Sequence, residues 1–343
     1  MATLLLKTFN VGAYLHFFYY LCTHKYKEMS MKHQLLLLLA VAPILSFAQG
    51  PSSDYLGNLT LVWHDEFDGT GSPDSTRWSF EQGFVRNQEL QWYQPQNARV
   101  VNGVLQITGR LEQVDNPRYE PNSRDWRRNR PQARYTSACL RSMGRFHFRY
   151  GRLEVRARIP IASGAWPAIW TLGNRWGWPA CGEVDVMEFY RVPPASMGIH
   201  HTQADRARTL PIILANACWQ GDDGRDAWDT GRIPLSHFTA HDADWATRFH
   251  IWRMDWTPEA IRLYLDDELL NEIPTEKSAK GGGRNHDINP FANNVEGFGQ
   301  YILLNLAIGS SGGEVDELAF PMLYEVDYVR VYQNKKLLDH SLR

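Results

Sequence analysis

Gly151-Arg152-Leu153-Glu154-Val155-Arg156-Ala157-Arg158-Ile159 decides the fold class. Its polar and apolar residues alternate strictly, so an extended chain puts Leu153, Val155, Ala157 and Ile159 on one face and the charged residues on the other, the mark of a half-buried β-strand. Upstream, the spacing of Phe146, Phe148 and Tyr150 predicts a second strand, with Gly151 as the break between the two. Downstream, Trp252, Met254 and Trp256, a Thr257-Pro258-Glu259 turn, and Ile261, Leu263 and Leu265 read as a hairpin continuing to Ile273. Tyr324, Val326, Tyr328, Val329 and Val331 close the series. Such segments recur from Leu61 to Tyr332 with no long amphipathic helix among them, which predicts an all-β sandwich or barrel. Two stretches break the pattern. Glu112 to Arg134 sets Arg118, Arg124, Arg127, Arg128, Arg130 and Arg134 among prolines, asparagines and the acids Asp115, Glu120 and Asp125, and reads as a long solvated surface loop. Lys280 to Asn294, with Gly281-Gly282-Gly283 and Pro290, reads likewise.

The ends of the chain set the compartment and the domain. Met31-Lys32-His33-Gln34, the apolar run Leu35 to Ile44 and Ser46-Phe47-Ala48 follow the charged, apolar, small-residue order of a secretory signal, with cleavage expected after Ala48. The apolar run is well short of the roughly 20 residues that span a bilayer. A secreted or periplasmic protein is therefore expected, with no membrane attachment after cleavage. Residues 1–30 read as a misassigned upstream start, and residues 55–334 as a single domain. The 343 residues are 43% hydrophobic and 22% charged, the balance of a globular protein, and a formal net charge of -2 gives no electrostatic reason for nucleic acid as a partner. Cys139, Cys181 and Cys218 of the mature chain are odd in number and fit no zinc spacing, so they read as buried thiols with at most one bridge. Aromatic residues are plentiful, with 13 Trp, 15 Tyr and 15 Phe, and flat rings suit the apolar faces of sugars as well as a core.

The chemistry concentrates in Glu183-Val184-Asp185-Val186-Met187-Glu188. On a strand Glu183 and Asp185 share a face, and Glu188 has the wrong parity to join them. A β-bulge at Met187 restores it, lining three carboxyl groups on one face above apolar residues. Crowded like charges cannot all ionise, so at least one keeps its proton near neutral pH. A carboxylate to attack and a carboxylic acid to protonate a leaving group are what retaining glycoside hydrolysis requires. Trp166, Trp170, Trp176 and Trp178 lie just upstream, as in a polysaccharide cleft.

With these residues in view, the chain resembles glycoside hydrolase family 16, in its laminarinase-like branch with the bulged Glu-x-Asp-x-x-Glu. The resemblance rests on Trp63 to Asp68, Asn87 to Tyr93, Tyr150 to Ala157, Gly182 to Glu188, Leu304 to Gly309 and Glu325 to Tyr332, in the family's order. It implies a concanavalin-like jelly roll of two curved antiparallel sheets with a concave substrate cleft. It implies Glu183 as nucleophile, Glu188 as acid/base and Asp185 between them. The implied substrate is a β-1,3 or mixed β-1,3/1,4 glucan, cut by an endo-acting monomer that needs no cofactor for catalysis. The alternatives are a hydrolase of agar, porphyran or carrageenan, a transglycosylase, and a non-catalytic lectin. The expected substrate-binding residues are Asn87, Trp166, Trp170, Trp178, His201, Trp219, Gln300 and Asn305; His200 and His201 cannot chelate one ion together, because neighbours on a strand point oppositely. The resemblance also implies a structural calcium on Glu66, Gly103 and Asp327, oxygen ligands of the kind that suit this ion.

Overall fold

The chain divides into two units, Met1–Ser53 and Asp54–Arg343. The structure, a computed structural model, describes residues 55–198, 209–278 and 288–334. The signal-like segment, the upstream residues and His200 and His201 lie outside the described residues. Strands in chain order are β1 (Thr60–Asp65), β2 (Ser79–Phe80), β3 (Gln91–Tyr93), β4 (Ala98–Val101), β5 (Val104–Asp115), β6 (Gln132–Ser137), β7 (Cys139–Arg141), β8 (Gly151–Arg158) and β9 (Ala165–Gly173). They continue as β10 (Glu183–Val192), β11 (Leu210–Gln220), β12 (Asp226–Pro234), β13 (His250–Trp256), β14 (Ala260–Leu265), β15 (Glu268–Pro274), β16 (Gln300–Ile308) and β17 (Met322–Gln333). The α-helix α1 (Leu235–Thr239), between β12 and β13, is five residues long.

These strands form a jelly-roll sandwich. One sheet runs β15-β14-β13-β8-β17-β5-β6-β3, with β1 on β17 and β4 on β5; the other runs β12-β11-β10-β9-β16-β7-β2. Pairing is antiparallel except between β3 and β6. The alternation in Gly151–Arg158 does what it predicts: Leu153, Val155 and Ala157 are fully buried. They meet Trp252, Met254 and Trp256 of β13 and, from the facing sheet, Val184, Val186, Met187 and Phe189 of β10 in one apolar core. Burial of this kind contributes roughly 25 cal/mol per Å² of apolar surface and dominates the stability of such a sandwich.

Three expectations change. Phe146 to Tyr150 forms no strand; Phe148 makes only an isolated bridge to Gln300. Tyr150 has φ +62 and Gly151 φ +109, so the chain turns there instead of extending. A Cβ at Gly151 would lie 2.2 Å from the Tyr332 carbonyl oxygen, which leaves room only for glycine. The arginine-rich loop is shorter than expected, because β5 runs through Asp115 and β6 begins at Gln132. Nor is it simply solvated. Arg127 Nε donates to the Val85 carbonyl (2.9 Å) and Arg130 Nη1 to the Glu89 carbonyl (2.7 Å), and both guanidiniums sit about 5 Å from the Trp126 ring. Cys139, Cys181 and Cys218 are buried free thiols, so the one bridge the odd count allowed is not formed.

Candidate active site

Strand β10 carries the expected bulge. Opposite β9, Asp185 pairs with Trp170 while Met187 pairs with Ile169; opposite β11, Asp185 pairs with Asn216 and Glu188 with Leu214. One extra residue is inserted between Asp185 and Glu188, so Val186 and Met187 both pack inward and Glu188 regains the face of Glu183 and Asp185. That face forms the floor of a cleft of about 1080 Å³.

Each acid has its own setting. Glu183 Oε2 accepts the Trp178 indole N–H at 2.7 Å, and Asp185 donates a second hydrogen bond to the same carboxylate. Glu188 is 8% exposed; its oxygens accept Trp166 Nε1 at 2.9 Å and Asn216 Nδ2 at 3.3 Å, and the Tyr190 hydroxyl adds a third donor. Burial, then the charge of Glu183, pushes Glu188 up to about 8. Burial, then the charges of Glu188 and Glu183, holds Asp185 well above the usual carboxylate range. Glu183 is raised by burial, against the hydrogen bonds from Trp178 and Asp185 and the charge of Arg86. Near neutral pH the arrangement favours a proton on Asp185 and on Glu188, with Glu183 the group best supplied with donors for a negative charge.

The floor beside β10 comes from the even-numbered face of β9, where Trp166, Ala168, Trp170 and Leu172 line the cleft. Trp166 and Trp170 are nearly buried yet belong to the cleft. The Trp170 N–H donates to Asn305 Oδ1 at 2.7 Å, Asn305 Nδ2 to the Tyr93 hydroxyl at 3.0 Å, and the Arg86 guanidinium lies 5.1 Å from the Trp170 ring. Asn87, with φ +55, joins the lining from a loop, and Trp178 stands 53% exposed beside the nucleophile candidate.

Two expected binding residues are elsewhere. Trp219 packs in the inter-sheet core against Phe291, because its neighbour Cys218 is the residue opposite Glu183 and the next position must face the other way. Gln300 is buried and donates to the Gly182 carbonyl at 3.3 Å; five residues from Asn305 on the same strand, it has the opposite parity. His201 lies outside the described residues. The cleft also takes in Arg86, Glu89, Trp126, Arg127, Tyr190, Trp228, Ser310 and Ser311, none of which the sequence reading singled out as binding residues. Tyr190 was within reach, since it stands two residues from Glu188 on the same face. Trp228 needed the pairing register of β11 with β12.

The calcium ligands do not fit as arranged. Glu66 accepts Arg330 Nε and Nη2 at 2.9 and 2.7 Å and lies 3.1 Å from His64 Nδ1, and Asp327 accepts Arg156 Nη1 at 2.6 Å. Carboxylates already neutralised by guanidinium are poor cation ligands, and Gly103 sits at the Asn102-Gly103 turn of the β4–β5 hairpin.

Residues 87–292, more than half of the chain, match the model of glycosyl hydrolases family 16. The chain belongs to this family. As a family 16 glycoside hydrolase it falls in the laminarinase-like branch: it is 34% identical over 324 residues to a beta-glucanase of Rhodothermus marinus, covering 90% of this chain and 96% of that protein. The laminarinase structure from Rhodothermus marinus is 33% identical, covers 80% of this chain and 97% of its own, and superposes with a TM-score of 0.57. An endo-acting O-glycanase structure from the human gut microbiota, described as initiating mucin breakdown, is 31% identical, covers 84% and 95%, and gives 0.68.

Proposed function

We propose that the chain is a secreted or periplasmic, retaining endo-β-glucanase that cuts β-1,3 or mixed β-1,3/1,4 glucans as a monomer and without a catalytic cofactor. The observation that carries this is the placement of three acids on one face of a cleft by the β10 bulge, with Glu188 buried against Trp166 and Asn216 and pushed up to about 8, and Glu183 accepting from Trp178 and Asp185. In the first step Glu183 attacks the anomeric carbon while Glu188 gives its proton to the departing glycosidic oxygen. In the second, Glu188, now a carboxylate, takes a proton from water, whose oxygen displaces Glu183 from the sugar. Two inversions return the starting configuration. Asp185 supplies a hydrogen bond to Glu183 without adding a second negative charge beside it. Secretion is supported by the signal-like residues 31–48, and the glucan substrate by the likeness to the Rhodothermus marinus enzymes.

The O-glycanase likeness, at a TM-score of 0.68, and a 29% identity to a keratan-sulfate endo-1,4-beta-galactosidase favour one other reading: the same chemistry on a mucin-type or galactose-containing glycan. Mature protein is incubated separately with laminarin, barley mixed-linkage glucan, agarose, porphyran, carrageenan and mucin, with products sized by mass spectrometry and anomers followed by NMR. Oligosaccharides from laminarin or barley glucan that first appear as the β-anomer are expected. Products only from a galactan or mucin would overturn the substrate; α-anomers would overturn the mechanism.

A further inference from the structure

We propose that Trp228 is the stacking platform for the sugar on the leaving-group side of the cut bond, and for an acceptor sugar when the covalent intermediate is resolved by transfer. This rests on the chain being a retaining endo-glycanase. In the seven-stranded sheet Glu183 is directly opposite Cys218 on β11, and Cys218 directly opposite Trp228 on β12. Residues facing each other across an antiparallel ladder project from the same side. The indole therefore stands on the cleft face in the row of Glu183, two strands or about 10 Å away. It lines the cleft, yet it is 44% exposed. Large aromatics open to solvent at a cleft are informative where scattered apolar residues are not. Its N–H is held by Asp226 Oδ2 at 2.7 Å, which fixes the orientation of the ring.

The direction follows from the two flanks of β10. On the β9 flank Trp166 and Trp170 are nearly buried and enclose a site suited to the sugar that stays bound to Glu183. On the other flank β12 is, among the described residues, the edge strand of its sheet and has no buried residue, and there a leaving chain departs and water or an acceptor enters. Transfer uses the same atoms as hydrolysis. The acceptor hydroxyl oxygen bonds to the anomeric carbon, its proton goes to the Glu188 carboxylate, and the ester bond to Glu183 breaks with its electron pair returning to that carboxylate.

The test compares wild type, Trp228→Ala and Trp228→Phe on laminarihexaose and on β-laminaribiosyl fluoride, whose fluoride leaves nothing on the leaving-group side that could stack on the indole. Trp228→Ala should lower kcat/KM on the hexaose roughly tenfold, the scale of one lost aromatic contact plus its buried area. Activity on the fluoride, which makes no contact there, should change less than about twofold, and on the hexaose Trp228→Phe should recover most of the loss. With added laminaribiose, the share of transfer products should fall in the alanine variant. An unchanged rate on the hexaose, or an equal fall on both substrates, overturns the assignment. Wild type inert on the hexaose would overturn the glucan reading alone. The variants are then compared on whichever polymer the wild type does cut, where an unaltered product-size distribution in Trp228→Ala overturns the platform.

Discussion

Replacing Glu188 with glutamine should stabilise the fold at alkaline pH while removing turnover of unactivated polysaccharide. Burial and the charge of Glu183 raise Glu188 from 4.5 to about 8 in the native state. Below pH 4.5 the side chain is protonated whether the chain is folded or not, and its environment costs nothing. As pH rises from 4.5 to 8 the unfolded chain ionises freely and the native one does not, so stability is lost across that window. The full difference, from 4.5 to about 8 at 1.36 kcal/mol per pKa unit, comes to about 5 kcal/mol, an upper bound because Glu183 and Asp185 share the titration. Glutamine carries no charge at any pH. Its oxygen still accepts the Trp166 N–H, and its NH2 pairs with Asn216 once that amide turns over to present Oδ1, which has no hydrogen-bond partner, in place of Nδ2. At about 2 °C per kcal/mol for a domain of this size, Glu188→Gln should melt up to ~10 °C above wild type at pH 9.5, and the gap should close towards pH 4.5. Thermal melts by circular dichroism across that range decide it. A gap that does not grow with pH, or a wild type more stable at pH 9.5, refutes the idea that Glu188 is held protonated at a cost to the fold.

Catalysis should show the same proton from the other side. The kcat/KM profile should fall on the alkaline limb near pH 8 as Glu188 loses its proton, and on the acid limb above pH 4.5, where Glu183, raised by burial, becomes protonated; a flat profile between pH 5 and 10 contradicts both assignments. Glu183→Ala should fold normally and lose nearly all turnover, and azide should rescue cleavage of an activated glucoside with inverted product by NMR; retained product would remove Glu183 from the nucleophile's role. Gly182→Ala should both destabilise and inactivate. At φ +74 an alanine is strained, and its Cβ would lie 2.7 Å from Pro290 Cβ and 2.9 Å from Phe291 Cε1, one residue before Glu183. A melting temperature lowered by a few degrees and a clear fall in kcat are expected, on the order of 1–3 kcal/mol for the strained backbone.

Much of the fold was legible because side-chain period is local. Alternation in Gly151–Arg158 and in the run from Trp252 to Ile273 fixed which residues meet the core, and three strands lie there as read. Where the sequence misled, the missing quantity was non-local. Phe146 to Tyr150 alternates well enough, but Tyr150 and Gly151 both adopt positive φ to fit against the end of β17, a contact more than 180 residues away in sequence. The arginines of the loop read as solvated because their partners, backbone carbonyls and the Trp126 ring, are visible only once the loop folds back over Val85 to Glu89.

The site divides along the same line. Parity can order residues within a strand but cannot say which face is the cleft; that needs one anchored position, and Glu183 supplies it. Once Glu183 faces the cleft, its partner Cys218 must also, so Trp219 is forced into the core and Trp228, opposite Cys218, is forced out. The same step from Asn305 turns Gln300 inward. The bulge is the exception that parity itself exposes. Without an extra residue Glu188 would point into the apolar core alongside Val184, where an unpaired carboxyl is far costlier than in a hydrogen-bonded cleft. With it, Val186 and Met187 both fill the core, and Glu188 reaches Trp166 and Asn216. A strand that spends two consecutive residues on the core to return one acid to the cleft face is locally irregular. That irregularity is what separates the acid from ordinary strand decoration.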